Sequence, residues 1–135
     1  MIRPKVDKPT EKEESLAYAI VTGRDSNRCQ RCQRFCGPPS RDHRKGRGVG
    51  GLTTPANLQI LGGDGTTGCH GWKTAHPALA LAEGWTVPGW ADPAEYPARR
   101  WLPTSRGTVR LSWVLYADDG TWREIDDAEA ERRRT

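Results

Sequence analysis

No stretch of the sequence is apolar over anything near the ~18 residues that a membrane-crossing helix takes, which excludes a helical membrane span. The start, Met1-Ile2-Arg3-Pro4-Lys5, has no apolar h-region. A secretory signal is therefore not expected, and a cytoplasmic location follows by default. Apolar residues make up only 35% of the 135 residues. That allows one domain with a small core, which a metal, a cofactor or a partner would help to hold. There is no internal repeat and no low-complexity segment, so a solenoid is excluded. In a cytoplasmic setting the four cysteines read as metal ligands or free thiols rather than disulfides. By contrast, Gly (15) and Pro (10) are plentiful and make the chain loop-rich.

The net charge of +4 is unevenly spread. Residues 1–23 balance four basic against four acidic side chains, 24–110 carry 13 basic and 6 acidic, and 111–135 carry four basic and seven acidic. The positive charge thus falls where the cysteines and histidines fall. It suits a polyanionic partner, or equally a solvated basic surface.

Residues 1–9, with Pro4 and Pro9, read as a flexible arm. Thr10-Glu11-Lys12-Glu13 fits a capping box, and Leu16, Ala17, Ile20 and Val21 recur at helical spacing up to Gly23. A turn-rich, cysteine-bearing segment follows over 24–40. Asn57–Leu61 reads as a strand, and Gly62–Gly68 as a turn. A helix is expected from Cys69 to about Ala75, then a second short one entered at Pro77 and closed at Gly84. Residues 85–107 look irregular. Val109, Leu111, Trp113 and Leu115 alternate as in a strand, and Asp118-Asp119-Gly120 turns it back as a hairpin over Thr121–Ile125. The last ten residues read as a charged tail.

Four groups of residues can carry chemistry. Cys29-Gln30-Arg31-Cys32 is a knuckle whose two thiolates can face one tetrahedral Zn²⁺, with Cys36 and Cys69 available to complete four sulfurs; small buried residues or a redox pair would look the same. Asp42-His43 pairs a carboxylate able to hold a hard cation with an imidazole able to take a proton from water. His70, just after Cys69, can join Asp42 in a mixed oxygen–nitrogen site, or be structural. Between them, Arg44, Lys45 and Arg47 lie on a glycine-rich loop that lets the backbone approach a phosphate, or simply stay solvated.

Taken in order, the C-x-x-C, the Asp-His-Arg with its basic loop, Asn57-Leu58-x-x-Leu61 and Gly65-Thr66-Thr67-Gly68-Cys69-His70-Gly71-Trp72-Lys73 are specific. This pattern resembles the HNH endonucleases, in particular the small HNH proteins of bacteriophages and prophages. The resemblance covers roughly residues 24–84, is sharpest over Gly65–Lys73, and extends loosely into the Trp-rich segment.

The resemblance implies an α+β fold with a ββα-metal (HNH, or His-Me finger) core over about 40–76. A zinc knuckle and an N-terminal helix over 10–23 complete a nuclease domain of residues 10–84. A Trp-rich β-hairpin extension over 85–125 and the charged tail 126–135 would follow. It implies a metal-dependent DNA endonuclease: His43 the general base, Asn57 the residue that ties the loop and orients His43, and Asp42 and His70 the ligands of one Mg²⁺ or Mn²⁺. Lys73, one turn after His70, would reach a phosphate together with Arg44, Lys45 and Arg47. DNA is the implied partner, with terminase or other phage packaging proteins as a setting, no membrane, and the host cytoplasm as the location if the chain is phage-encoded. A non-catalytic zinc-stabilised module that binds nucleic acid or protein is the alternative.

The sequence departs from the pattern at Gly62, where many relatives begin a second cysteine pair. Cys29, Cys32 and Cys69 then remain for zinc, with Cys36 close enough to substitute. Thr74 stands where some relatives have a third histidine ligand, and His76 reads as a helix cap or surface histidine. The six tryptophans read as scaffold: Trp72 on the implied catalytic helix, and Trp85, Trp90, Trp101, Trp113 and Trp122 as a second small core. Arg99, Arg100, Arg106 and Arg110 would extend the DNA track or lie exposed.

Overall fold

The computed structural model describes residues 8–135, so the arm expected over 1–9 lies almost wholly outside the described residues. Helix α1 (Glu11–Arg24) begins at the capping box: Thr10 Oγ1 accepts the Glu13 N–H, and the Thr10 N–H donates to Glu13 Oε1. The chain leaves it through Ser26 and Asn27, both at positive φ. α1 buries only Ala17 and Val21, and both pack on a strand.

That strand belongs to an antiparallel pair, β1 (Pro39–His43) and β2 (Leu58–Gly62), in which Asp42 faces Gln59 and His43 faces Leu58. Every residue of β2 is buried because both faces are covered. Leu58 and Ile60 meet α1, whereas Leu61 meets Cys69 and Trp85 on the other side. The turn after β2 is held by Asp64, whose Oδ1 accepts from the Thr66 N–H and from both threonine hydroxyls. Two short helices follow, α2 (Gly68–Ala75) and α3 (Pro77–Ala82). An antiparallel sheet, β3 (Ala98–Pro103), β4 (Val109–Tyr116) and β5 (Trp122–Ile125), and the final helix α4 (Asp127–Arg133) complete a mixed α+β architecture. Among the described residues, no helix is long and apolar enough to cross a membrane.

Three expectations need correction. Residues 85–107 are not irregular throughout: β3 pairs with β4 from Ala98 opposite Val114 to Pro103 opposite Val109. Arginines hide this strand from an apolar pattern, since Arg100 turns inward to Asp25 and Arg99 lies over the Trp113 ring. Residues 126–135 are not a plain tail. Asp126 caps α4 through the Glu129 N–H, Ala130 is fully buried, and Arg133 pairs with Glu129 and Glu95. The tryptophans do not form one core either. Trp85 sits with the cysteines, Trp113 packs with Leu115, Ile125 and Ala130, and Trp90 and Trp122 are exposed.

Buried charge joins these layers. Asp25, at the end of α1, accepts from Arg24 Nε and Arg100 Nη1, both at 2.8 Å, and from the Ile60 N–H of β2. Arg44 is fully buried, with its guanidinium donating to the carbonyls of Ala56 (2.7 Å), Pro93 (3.0 Å), Tyr96 (2.9 Å) and Pro97 (3.3 Å). Burial pulls its pKa down to about 10. It therefore stays charged at neutral pH. Replacing Arg44 by Met leaves those carbonyls without their donor. The expected loss is about 3 kcal/mol or more of unfolding free energy, with Arg44→Lys recovering only part of it. Urea unfolding followed by tryptophan fluorescence reads both.

Candidate functional site

The Cys29–Cys32 knuckle is closed by the Gln33 N–H on the Cys29 carbonyl (3.0 Å), with Gln33 at a φ of 60°. Cys36 follows three residues later, and Cys69 is the second residue of α2. The four sulfurs all lie within 4.8 Å of one another. Tetrahedral Zn–S bonds of about 2.3 Å set sulfurs about 3.8 Å apart, so the cluster can hold a structural metal ion such as zinc. Three N–H donors address it at 3.4 Å: the Cys69 amide to Cys36 Sγ, the Arg34 amide to Cys32 Sγ, and Arg31 Nη1 to Cys69 Sγ. Arg31 is itself held flat on Trp72, 3.5 Å from the ring centroid.

Burial pushes the Cys69 thiol up to about 12 and also raises Cys32. At Cys29 burial works the same way, but backbone hydrogen bonds from Cys32, Gly62 and Arg31 outweigh it and the thiol is lowered. Thiols packed this closely ionise together only around a cation, which is what a zinc ion supplies. Position 62 explains why Cys36 can be the fourth sulfur. A Cβ placed on Gly62 would lie 2.5 Å from Cys36 Sγ, so the space a side chain would need at 62 is already filled by the sulfur of residue 36.

On the α2 side of the hairpin, Asp42 is buried and its carboxylate is divided. Oδ2 accepts from Lys73 Nζ (2.7 Å) and Gln59 Nε2 (2.9 Å), and Oδ1 lies 3.4 Å from His70 Nε2. Ser40 Oγ, 2.8 Å from the Leu61 carbonyl, lies 2.9 Å from His70 Nδ1 and so ties the His70 ring to the hairpin, with Nε2 turned toward Asp42 Oδ1.

Because successive residues of a strand point to opposite faces, His43 lies on the α1 flank, away from Asp42 and His70. Its Nε2 is 2.9 Å from Thr53 Oγ1 and 3.4 Å from Arg47 Nε. Burial, then Arg47, lowers its pKa below the ordinary imidazole value, partly offset by Asp42 and Glu14. Lys73 links the flanks, donating to the His43 carbonyl (2.9 Å) as well as to Asp42. Asn57 is fully buried and pins both ends of the basic loop. Its Oδ1 accepts from the Lys45 N–H (2.7 Å), while its Nδ2 donates to the Lys45 and Leu52 carbonyls.

The loop cations are not the open set that the sequence suggests. Arg44 is interior, so its assignment as a DNA contact is corrected, the reason being its four carbonyl partners. Lys73 is committed to Asp42, and Lys45 is half-buried with Nζ on the Ala91 carbonyl (3.1 Å). Arg47 remains exposed. Of the C-terminal arginines, Arg99 and Arg100 are held inside and Arg106 and Arg110 lie at the surface. Ser40, Gln59 and Thr53 escaped sequence reading. Ser40 shares a face with Asp42 by the alternation of β1, a strand that is not evident from the sequence. Comparison with protein-family models, curated proteins and solved structures returns no match to this chain.

The cluster is expected to carry one zinc per chain by elemental analysis. Cys36→Ser should reduce that well below one and lower the melting temperature. Gly62→Ala should do the same by displacing the Cys36 sulfur, and full zinc retention in both variants would show that Cys36 is not a ligand.

Proposed function

We propose that the chain is a metal-dependent HNH endonuclease that hydrolyses phosphodiester bonds of DNA. One observation carries the reading: His70 Nε2 and Asp42 Oδ1, two atoms of types that ligate divalent cations, face each other at 3.4 Å. Neighbouring ligands of an octahedral Mg²⁺ are about 3 Å apart, so one cation can be held by both. The succession of β1, β2 and α2 around this pair supports a ββα-metal core, with Asp42 and His70 as the residues that would hold Mg²⁺ or Mn²⁺. When bound, such a cation supplies charge stabilisation to the phosphate and to the departing oxygen.

The chain's own residues account for the rest. Lys73 and Gln59 occupy one oxygen of Asp42 and leave the other free for ligation. Ser40 fixes the His70 ring so that Nε2 faces that oxygen. His43 is the general base: Thr53 Oγ1 and Arg47 Nε hold its ring through Nε2, and its unprotonated ring nitrogen takes a proton from water. The lowered pKa keeps this imidazole neutral at neutral pH. Asn57 fixes the loop that supplies Thr53 and Arg47. Displacement at phosphorus needs the attacking and leaving oxygens in line. A phosphodiester lying across the end of the hairpin would have His43 on one side and the Asp42–His70 pair on the other, as that geometry requires. The alternative, a zinc-stabilised binding module without catalysis, rests on the sulfur cluster, and such a module has no need of the Asp42–His70 arrangement.

Two experiments test the reading. With Mg²⁺, Mn²⁺ or Ni²⁺ the protein is expected to nick supercoiled plasmid, and His43→Ala to slow this by about 10²- to 10⁴-fold with DNA affinity retained. Equal nicking by both proteins removes His43 from the mechanism, and no nicking with any of the three ions sinks the enzyme reading. Separately, Ser40→Ala is expected to weaken Mn²⁺ binding by about 10- to 100-fold, read without DNA by electron paramagnetic resonance of the free ion. Ser40→Thr should restore it.

A further inference from the structure

We propose that Arg41 and Arg47, both set against Tyr18, form a clamp for the phosphates of one DNA strand on the His43 flank; this rests on the nuclease reading. The alternation of β1 that sends Asp42 toward α2 sends Arg41 and His43 together toward α1. Arg41 is exposed, and its guanidinium lies 4.7 Å from the centroid of the Tyr18 ring. Arg47, also exposed, reaches the same tyrosine from the loop. Its Nη2 donates to Tyr18 Oη at 3.3 Å, and its Nε approaches His43 Nε2 at 3.4 Å. Tyr18 is a firm platform, because it packs against the buried group of Ala17, Val21, Leu58 and Ile60.

The charge balance points to an anion. Arg24, Arg100 and Lys73 each have a carboxylate, and Arg44 has its carbonyls. Neither Arg41 nor Arg47 forms an ion pair among the described residues. Two guanidiniums sharing one tyrosine repel each other, and a phosphate between or beside them relieves that repulsion. The planar guanidinium fork also matches phosphate oxygens. A cleft of about 240 Å³ adjoins Arg47, lined also by Lys8, Pro9, Glu14 and Thr53 among others. Glu14 is the acidic group there, on the helix side, and it sets the edge beyond which a strand backbone would be repelled. The clamp puts the scissile strand against His43, so the phosphates bound by Arg41 and Arg47 neighbour the one that is attacked.

The test is the salt dependence of DNA binding, measured by fluorescence anisotropy with a short labelled duplex, without added divalent cation, over a range of KCl. Each phosphate contact contributes about 0.9 to the slope of log K against log[KCl]. Arg41→Gln and Arg47→Gln are each expected to lower the slope by about that amount, and the double variant by about twice as much. Arg47→Lys keeps the slope, and Arg106→Gln, on the β3–β4 turn, leaves it unchanged. Wild-type slopes in both glutamine variants, with unchanged melting temperatures, overturn the clamp; an equal drop in Arg106→Gln does the same. Absence of salt-sensitive binding by the wild type overturns it too. None of these results depends on cleavage, so the plasmid assay judges the nuclease reading separately.

Discussion

The guanidinium of Arg44 ties the hairpin to the chain before the C-terminal sheet. It follows His43 by one residue and ends among carbonyls of residues 56, 93, 96 and 97. It is needed because the apolar residues are too few to make one core. Among the described residues they form five small clusters, none with more than five buried members. Between clusters the chain relies on buried cations in place of aliphatic packing: Arg44 toward the C-terminal sheet, and Arg24 and Arg100 converging on Asp25. Such groups are directional, so each fixes orientation as well as proximity. An arginine that cannot reach all its carbonyls stabilises little.

That rigidity matters at the candidate site, where the roles are divided by the pleat of one strand. Asp42 and His43 are neighbours in sequence, yet they lie on opposite flanks of the hairpin. Each flank has its own support: Ser40, Gln59 and Lys73 on one side, Thr53, Arg47 and the Asn57-pinned loop on the other. Lys73 touches both flanks through the Asp42 carboxylate and the His43 carbonyl, so a shift on one side is felt on the other.

How much of this could be read from the sequence follows from where the signals are local. The capping box at Thr10, the alternation in β4 and the turn before α2 depend on near neighbours, and each was legible. β3 was not, because its inward and outward positions are filled by arginines whose partners are far away in the chain. α4 was obscured for the same reason: Arg133 pairs with Glu95, and Arg134, just after the helix, lies over Trp113. Asp42, His43, Asn57 and His70 could be singled out by type and order. Ser40 and Gln59 could not, since their contacts come from strand register. Arg44 misled because a cation beside glycines looks solvated, whereas its partners are carbonyls up to 53 residues away in the chain.

The position of Cys36 has a consequence for assembly. Three of the four sulfurs, Cys29, Cys32 and Cys36, lie within one short stretch that precedes the hairpin, and only Cys69 follows it. Three local thiolates can gather a metal ion while the rest of the chain is still unfolded, with little loop-closure entropy to overcome. Recruiting Cys69 would then close the segment that contains both strands, so that β1 and β2 would meet inside a loop whose ends are already joined. A thiolate at position 62 would have required the hairpin to form before its third sulfur arrived. With the sulfur at 36 that order is reversed, and a metal held by this cluster would be a nucleus for the fold rather than its final fastening.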